Sequence, residues 1–275
     1  MKKNIISAVI SLTILLIAFV AGEMLTEKAP PEKKELTEYE LLMGAGKPKV
    51  ALPAPSQVLQ YAFEALKKPF YDAGPNDKGI GLQILYSLGR VMTGYFLAML
   101  IAIPIGFLIG MSPIMYNALN PYIQVMKPIS PLAWMPLALF VIKDSALSAI
   151  FVIFICSIWP ILINTAFGVA SVKRDYLNVA RTLEMTQLQT AFKIILPAAA
   201  PTIFTGLRIS IGISWLVIVA AEMLVGGTGI GYFVWNEWNN LNLSSVIFSI
   251  MMIGLVGMAL DLLIARTSRA FSYTE

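Results

Sequence analysis

The most restrictive feature of this sequence is how few charged residues follow Arg90. Between Arg90 and Lys173 the only charged side chains are Lys127, Lys143 and Asp144. About 20 consecutive apolar residues are enough for a helix to cross the hydrocarbon core of a bilayer, and a spanning segment must pair its own backbone groups. The chain is therefore predicted to be an all-α, polytopic membrane protein.

Length and composition limit what else the chain can contain. Of its 275 residues, 57% are hydrophobic and 13% are charged, against about 25% charged residues in an average soluble domain. About six spans with their loops use up this length. A nucleotide-hydrolysing domain is therefore expected on another chain, and this chain is not predicted to be an enzyme.

Six membrane-spanning helices are predicted from the apolar runs. They cover residues 5–21, 91–109, 117–142, 145–170, 201–225 and 244–265. The first run follows Lys2 and Lys3, a pattern shared by cleaved signal peptides and retained first spans. The poor cleavage pattern between Phe19 and Ala21 favours retention. In this prediction residues 1–21 are the first transmembrane helix, and residues 81–275 form a five-helix core with an inner loop at 171–197.

Residues 22–80 differ from the rest of the chain, because they carry nine acidic residues and eight lysines. This segment is predicted to lie outside the membrane. Within it, Ser56 to Lys68 places apolar residues at helical spacing opposite polar ones. That pattern predicts either an interfacial helix or a short helix packed on a neighbouring span.

The positions of Lys and Arg predict the orientation of the spans. With the amino terminus inside, both termini and the 171–197 loop are cytoplasmic, and Lys143 is the only cation in the short outer loops. Arg90, at the predicted outer end of the second span, is the exception. Trp235 and Trp238 fall near the outer boundary and suit an aromatic belt. The cytoplasmic cations are Lys2, Lys3, Lys173, Arg174, Arg181, Lys193, Arg266 and Arg269.

The absence of histidine and the single cysteine, Cys156, exclude several chemistries. A His-containing zinc site, a His general base, a His-ligated haem and an internal disulfide cannot be built from this chain. Cys156 lies in an apolar run and is predicted to fill space in the core. No catalytic residue, metal site, cofactor or nucleic-acid contact is predicted here.

The predicted inner loop at 171–197 has an amphipathic pattern. Its apolar residues recur at helical spacing, whereas its charged residues face elsewhere. Such a helix either lies on the membrane face alone or docks into a groove of a partner protein. The predicted apolar stripe is Tyr176, Leu177, Ala180, Leu183 and Leu188.

Spacing in this loop resembles the cytoplasmic signature of permease subunits of ABC importers. The family pattern is Glu-Ala-Ala, three residues, Gly, nine residues, Ile-x-Leu-Pro. Four residues match it, and Asn178, Val179 and Glu184 stand where the family has Glu, Ala and Gly. The resemblance implies that the loop couples the spans to an ATPase. The residues implied in coupling are Asn178, Val179, Ala180, Arg181, Leu183, Glu184, Ile194, Leu196 and Pro197.

Further segments resemble the nitrate, taurine and alkanesulfonate branch of these permeases. They are LPAPS at 52–56, SLGRV at 87–91, KPISPLAWMP at 127–136, FTGLR at 204–208 and AAEM at 220–223. Within the branch, NDKGIG at 76–81 is most similar to nitrate and bicarbonate permeases. The resemblance implies a type I ABC importer in the bacterial inner membrane. Nitrate, with nitrite, is the favoured substrate, and bicarbonate or taurine and other sulfonates are alternatives.

The same resemblance implies the partners. They are a second permease copy, two cytoplasmic ATPases that bind ATP and Mg²⁺, and an external substrate-binding protein in addition to the bilayer. A stand-alone secondary carrier or channel is a third reading, but it gives no reason for the interval-matched loop.

The third span carries Pro121, Pro128, Pro131 and Pro136, too many for an unbroken helix. Broken spans at membrane depth often line transport sites. Lys127 in this span is placed roughly 10 to 15 Å from the cytoplasmic boundary, where a charge usually faces a partner or a cavity. Lys127 therefore either lowers the barrier for a small anion that crosses between two permease copies, or pairs internally and holds spans together.

Two further charges in the spans have open interpretations. Arg208 lies at a similar depth in the fifth span, where it either serves the anion path or pairs with Asp261. Glu222 is either a gate, a contact for the binding protein or a hydrogen-bonded structural carboxylate. The candidates for the translocation path are Lys127, Pro128, Pro131, Trp134, Arg208 and Glu222.

Overall fold

The computed structural model describes residues 52–74 and 77–271, together with residues 10, 13, 16, 17, 19–24 and 26. No β-strand occurs in these ranges, and helices dominate them. In chain order the helices are α1 (Pro55–Lys67), α2 (Ile80–Met111), α3 (Pro113–Met126), α4 (Pro131–Ile142), α5 (Ser145–Ala170), α6 (Arg174–Thr182), α7 (Gln187–Thr190), a π-helical turn (Ala191–Ile195), α8 (Leu196–Val225), α9 (Ile230–Asn239) and α10 (Leu243–Phe271).

Local sequence explains where several helices start. Proline occupies the first turn of α1, α3 and α4, where its missing N–H is no loss. The side chains of Ser112 and Asp144 accept backbone N–H groups at the starts of α3 and α5. These short polar connections separate the apolar runs into the observed helices.

Four helical stretches are long and apolar enough to cross a membrane: Ile80–Met111, Ser145–Ala170, Gln187–Val225 and Leu243–Arg269. A fifth span requires α3 and α4 together, and these two helices meet at 90°. The sixth prediction, a first span within residues 1–21, falls mostly outside the described residues. The expected break in the proline-rich third span is confirmed.

The second span differs most from its prediction. We expected it to begin at Val91, but α2 begins at Ile80 and runs for 32 residues, or about 48 Å. Arg90 therefore lies inside a continuous helix and not at its end. A charged residue usually marks the end of an apolar span, but Arg90 is compensated inside the fold by Glu222.

The described residues divide into two compact units. The larger contains residues 70–233 and 252–271, and α2, α5 and α8 form its core. Glycines allow these helices to approach closely: a Cβ on Gly206 of α8 would lie 2.7 Å from the Cβ of Asn164 and 2.9 Å from the carbonyl oxygen of Pro160, both on α5. In the turn before α2, Lys78 pairs with Asp72 and lowers the pKa of that carboxyl.

The smaller unit contains α1 and residues 234–251, along with the described residues near the amino terminus. Tyr61 of α1 accepts a hydrogen bond from the Ser245 hydroxyl at 2.9 Å and packs edge-on against Phe248. Burial raises the pKa of Tyr61. The helix predicted over residues 56–68 is confirmed as α1, and its position at a membrane interface stays a prediction.

Candidate functional site

The inner loop is built from two short helices that lead into α8. Helix α6 covers Arg174–Thr182, a turn follows, and α7 and the π-helical turn continue without a break into α8. The side chain of Thr186 caps α7 and accepts the N–H of Gln189. Ile194 lies in the π-helical turn, and Leu196 and Pro197 open α8. The predicted coupling residues therefore form two groups, one at the end of α6 and one where the π-helical turn joins α8.

Glu184 occupies a left-handed turn that ends α6, with φ of +49°. The N–H of Met185 donates to the carbonyl of Ala180 at 3.1 Å, and the N–H of Glu184 donates to that of Arg181 at 3.0 Å. This is the Schellman arrangement, whose left-handed position normally holds glycine. The backbone therefore keeps the turn for which the family pattern has Gly, although the side chain here is a glutamate.

The residues of the predicted apolar stripe differ in how far they are exposed on this chain. Ala180 is buried and Leu177 is half-buried, but Tyr176 and Leu183 are exposed by 42% and 64%. Val179, which we did not place in the stripe, is 54% exposed beside them. Part of the apolar face of α6 therefore packs on this chain, and the rest of that face is exposed. Asn178 and Arg181 are exposed on the same helix.

The break between α3 and α4 contains Lys127 and Pro128, and Pro131 begins α4. Lys127 and Pro128 are exposed, whereas Pro131 and Trp134 are half-buried. Lys127 borders a cavity of about 210 Å³ that lies against α5. Arg208 is not among the residues that line this cavity. The two cations that sequence placed at one depth therefore do not line one site.

Arg208 of α8 forms a two-pronged ion pair with Asp261 of α10. Its Nε and one terminal nitrogen lie 2.5 and 2.6 Å from the two carboxylate oxygens. Both side chains are substantially exposed on this chain. The alternative to a path role, pairing of Arg208 with Asp261, is thus present in the fold.

Glu222, near the end of α8, is the centre of a buried polar network. Its carboxylate accepts from Arg90 at 2.7 Å, from Ser87 at 2.8 Å and from the N–H of Gly231 at 3.0 Å. Arg90 also donates to the carbonyl of Thr228 at 2.6 Å. The side chain of Glu222 is 2% exposed and that of Arg90 is 18% exposed. The geometry matches the structural carboxylate among the three interpretations.

Sequence reasoning missed three members of this network on α2. Gln83 accepts the N–H of Gly229 at 2.7 Å, Ser87 accepts the N–H of Ile230 at 2.9 Å, and Arg90 holds Glu222. The signal was available, since Gln83, Ser87 and Arg90 recur at helical spacing on one face of an otherwise apolar segment. This face fixes the turn between α8 and α9.

Comparison with known proteins places this geometry in a family. The family described as the inner membrane component of binding-protein-dependent transport systems matches residues 102–273. A curated relative, the nitrate import permease protein NrtB of Synechocystis sp., is 51% identical over 214 residues, 78% of each chain. The bicarbonate transport system permease protein CmpB of the same organism is 44% identical over 226 residues, 81% of this chain and 80% of CmpB.

Solved structures agree on the fold. An inward-facing structure of the MetNI methionine ABC transporter matches with a TM-score of 0.62 at 16% identity, covering 70% of this chain and 95% of that chain. The structure of an amino acid ABC transporter with histidines matches with a TM-score of 0.59 at 14% identity, covering 78% and 97%. The predicted permease fold is therefore confirmed. This chain is a transport subunit and not an enzyme, and it belongs to the family of inner membrane components of binding-protein-dependent transport systems.

Proposed function

We propose that this chain is the permease subunit of an ATP-driven importer that moves a small inorganic anion, in the first place nitrate and nitrite, into the cell. The observation that carries the proposal is the 51% identity over 214 residues to a nitrate import permease. The second candidate is bicarbonate, because a bicarbonate permease is 44% identical over 226 residues. Sulfonates of the same branch stay a third, weaker alternative.

We propose an assembly of two copies of this chain, two cytoplasmic ATPases and an external binding protein. The ATPases bind ATP and Mg²⁺, so this chain needs no cofactor of its own. The exposed apolar side of α6, with Tyr176, Val179 and Leu183, supports its docking into an ATPase groove. Movement of that groove on ATP binding would pass through α7 and the π-helical turn directly into α8, because these elements are continuous.

The charges in the spans have different roles in this proposal. Arg208 and Glu222 already have partners of opposite charge, which favours a structural role for both. Lys127 has no such partner among the described residues and lies at the break between α3 and α4. We therefore assign the anion path to the break, with Lys127 and the neighbouring Pro128, Pro131 and Trp134.

The substrate is tested with the reconstituted complex of permease, ATPases and binding protein. The rate of ATP hydrolysis is measured in proteoliposomes with nitrate, bicarbonate or taurine outside. We expect stimulation by nitrate. Stimulation by bicarbonate alone or by taurine alone would overturn the nitrate assignment and would leave the permease assignment intact.

The docking role of α6 is tested by adding a carboxylate to its exposed side. Leu183→Asp should detach or uncouple the ATPase without unfolding the permease, because Leu183 is 64% exposed. The matched control is Leu241→Asp, since Leu241 is 61% exposed in the turn before α10. Co-purification of the ATPase and stimulated ATP hydrolysis are measured. Equal ATPase retention by both variants would refute docking at this side.

A further inference from the structure

Lys127, at the break between α3 and α4, is a cation whose charge the described residues leave uncompensated. Its ammonium group has no ion pair and no hydrogen bond with the described residues. By contrast, Arg90 and Arg208 each hold a carboxylate within 2.7 Å. A cation at membrane depth normally faces a partner or a water-filled cavity, and the feature next to Lys127 is a cavity.

The polar residues of α3 converge on the same cavity. Tyr116, Asn120, Gln124 and Lys127 follow one another at helical spacing, and all four line it. Asn164 of α5 lines it from the opposite side, with one amide hydrogen already bound to the carbonyl of Pro160 at 2.8 Å. A row of polar side chains along one face of a helix in a membrane-spanning region is unusual unless that face meets water or a ligand.

The lining of the cavity selects a class of ligand. The rest of its wall is apolar, including Ile109, Leu162 and Phe167, and no carboxylate lines it. An ammonium group, two amide side chains without a described hydrogen bond and a phenol supply donors to an acceptor-only ligand. A cationic ligand would be repelled by the ammonium group of Lys127, because no carboxylate in the wall offsets that charge. The volume, about 210 Å³, accommodates a small oxyanion with part of its water shell.

We propose that this cavity is a binding site for a small inorganic oxyanion during transport, with Lys127 as the charged ligand and Asn120 and Gln124 as hydrogen-bond donors. The proposal rests on the proposed function, because it assigns the transported anion to this site. The site lies near the ends of α2 and α5, since Ile109 and Phe167 are two and three residues from Met111 and Ala170. In the predicted orientation these ends are cytoplasmic.

This position makes the cavity a binding site near the cytoplasmic end of the translocation path. One cation offsets part of the desolvation of a monovalent anion, and the amides orient its oxygens. The wall is partly open and offers a single charge, so the anion is held weakly enough to leave. Weak binding at several places is what conduction through a selective pathway requires.

The test measures anion binding to the purified full-length chain in a nonionic, phosphate-free detergent, which keeps lipid headgroups away from Lys127. Nitrate is titrated calorimetrically, with bicarbonate and chloride as further probes. We expect Lys127→Gln to weaken nitrate binding about tenfold or more, the usual effect of losing a charged hydrogen bond. Lys127→Arg should stay within a few-fold of the original chain. Lys143→Gln, in the loop after α4, is the matched control and should bind as the original chain does.

The outcomes separate this site from the proposed function. Equal nitrate affinity of the Lys127→Gln and Lys143→Gln variants, or no anion binding by the original chain, overturns the site, whatever the reconstituted complex transports. If the complex responds to bicarbonate only and the chain binds bicarbonate in a Lys127-dependent manner, the site stands and the nitrate assignment fails. Thermal unfolding of each variant verifies that lost binding is not lost folding.

Discussion

Replacing Arg90 by methionine tests the buried network most directly. The change keeps an extended apolar side chain on α2 but removes the cation 2.7 Å from Glu222. The carboxylate, 2% exposed, would retain only Ser87 and the N–H of Gly231 as donors. Removing one member of a buried ion pair costs about 3 to 5 kcal/mol. Because two neutral donors remain and Arg90 is partly exposed, we expect the lower end, about 3 kcal/mol.

The assay uses the single cysteine of the chain. Cys156 is partly buried in α5, so a thiol-reactive fluorophore reports unfolding of the purified protein in detergent as temperature rises. For a chain of this size 1 kcal/mol corresponds to a change in Tm of about 2 to 4 °C. Arg90→Met should therefore lower the Tm by about 6 to 12 °C. Arg266→Met, at an exposed position in α10, should change it little.

A second substitution identifies the cause. Adding Glu222→Gln to Arg90→Met removes the unpaired charge, and the amide oxygen still accepts from Gly231. If the buried charge is responsible, the double variant regains at least half of the lost stability. If it is no more stable than Arg90→Met alone, lost packing and not the uncompensated carboxylate explains the effect, and the reasoning fails.

Three further substitutions test other contacts, with the first two read by the same thermal assay. Gly206→Ala should destabilise the protein by about 1 to 3 kcal/mol, because the new Cβ would lie 2.7 Å from the Cβ of Asn164. The control is Gly212→Ala on the same helix, where a Cβ meets no atom within 4 Å, so this change should be neutral or stabilising. Equal effects of the two substitutions would contradict the packing argument. Glu184→Gly should stabilise by about 1 kcal/mol, because the left-handed conformation of Glu184 costs an L residue roughly 1–2 kcal/mol and the greater freedom of Gly in the unfolded chain offsets part of that gain. Glu184→Ala should not stabilise, since its Cβ remains. Exchanging the charges of Arg208 and Asp261 should restore anion uptake that each single reversal abolishes, if the pair is structural; restored assembly without uptake would instead place Arg208 on the path.

The sequence predicted local features better than pairings. Apolar spacing in the inner loop correctly predicted a helix there, because that pattern depends on residues a few positions apart. The spacing of prolines likewise predicted the break after α3, because proline interrupts a helix at its own position. The partner of Arg90 could not be predicted, since Glu222 lies 132 positions away and meets it only when α2 and α8 pack. Likewise, the division of the α6 residues into buried and exposed sides depends on what α6 packs against.

The cations inside the spans differ in whether a carboxylate of the same chain already pairs with them. This difference determines which of them is free to bind an anion. The pairs Arg90–Glu222 and Arg208–Asp261 are each satisfied within the chain, so an incoming anion would have to displace a carboxylate held within hydrogen-bond distance. At Lys127 an anion would not have to displace any carboxylate of the described residues. A monovalent anion therefore gains most where the fold has left a cation uncompensated, and moving α3 relative to α5 changes the access to that cation. Since α7 leads directly into α8, which packs on α5, motion at the proposed ATPase contact on α6 would reach the wall of this cavity through packed helices.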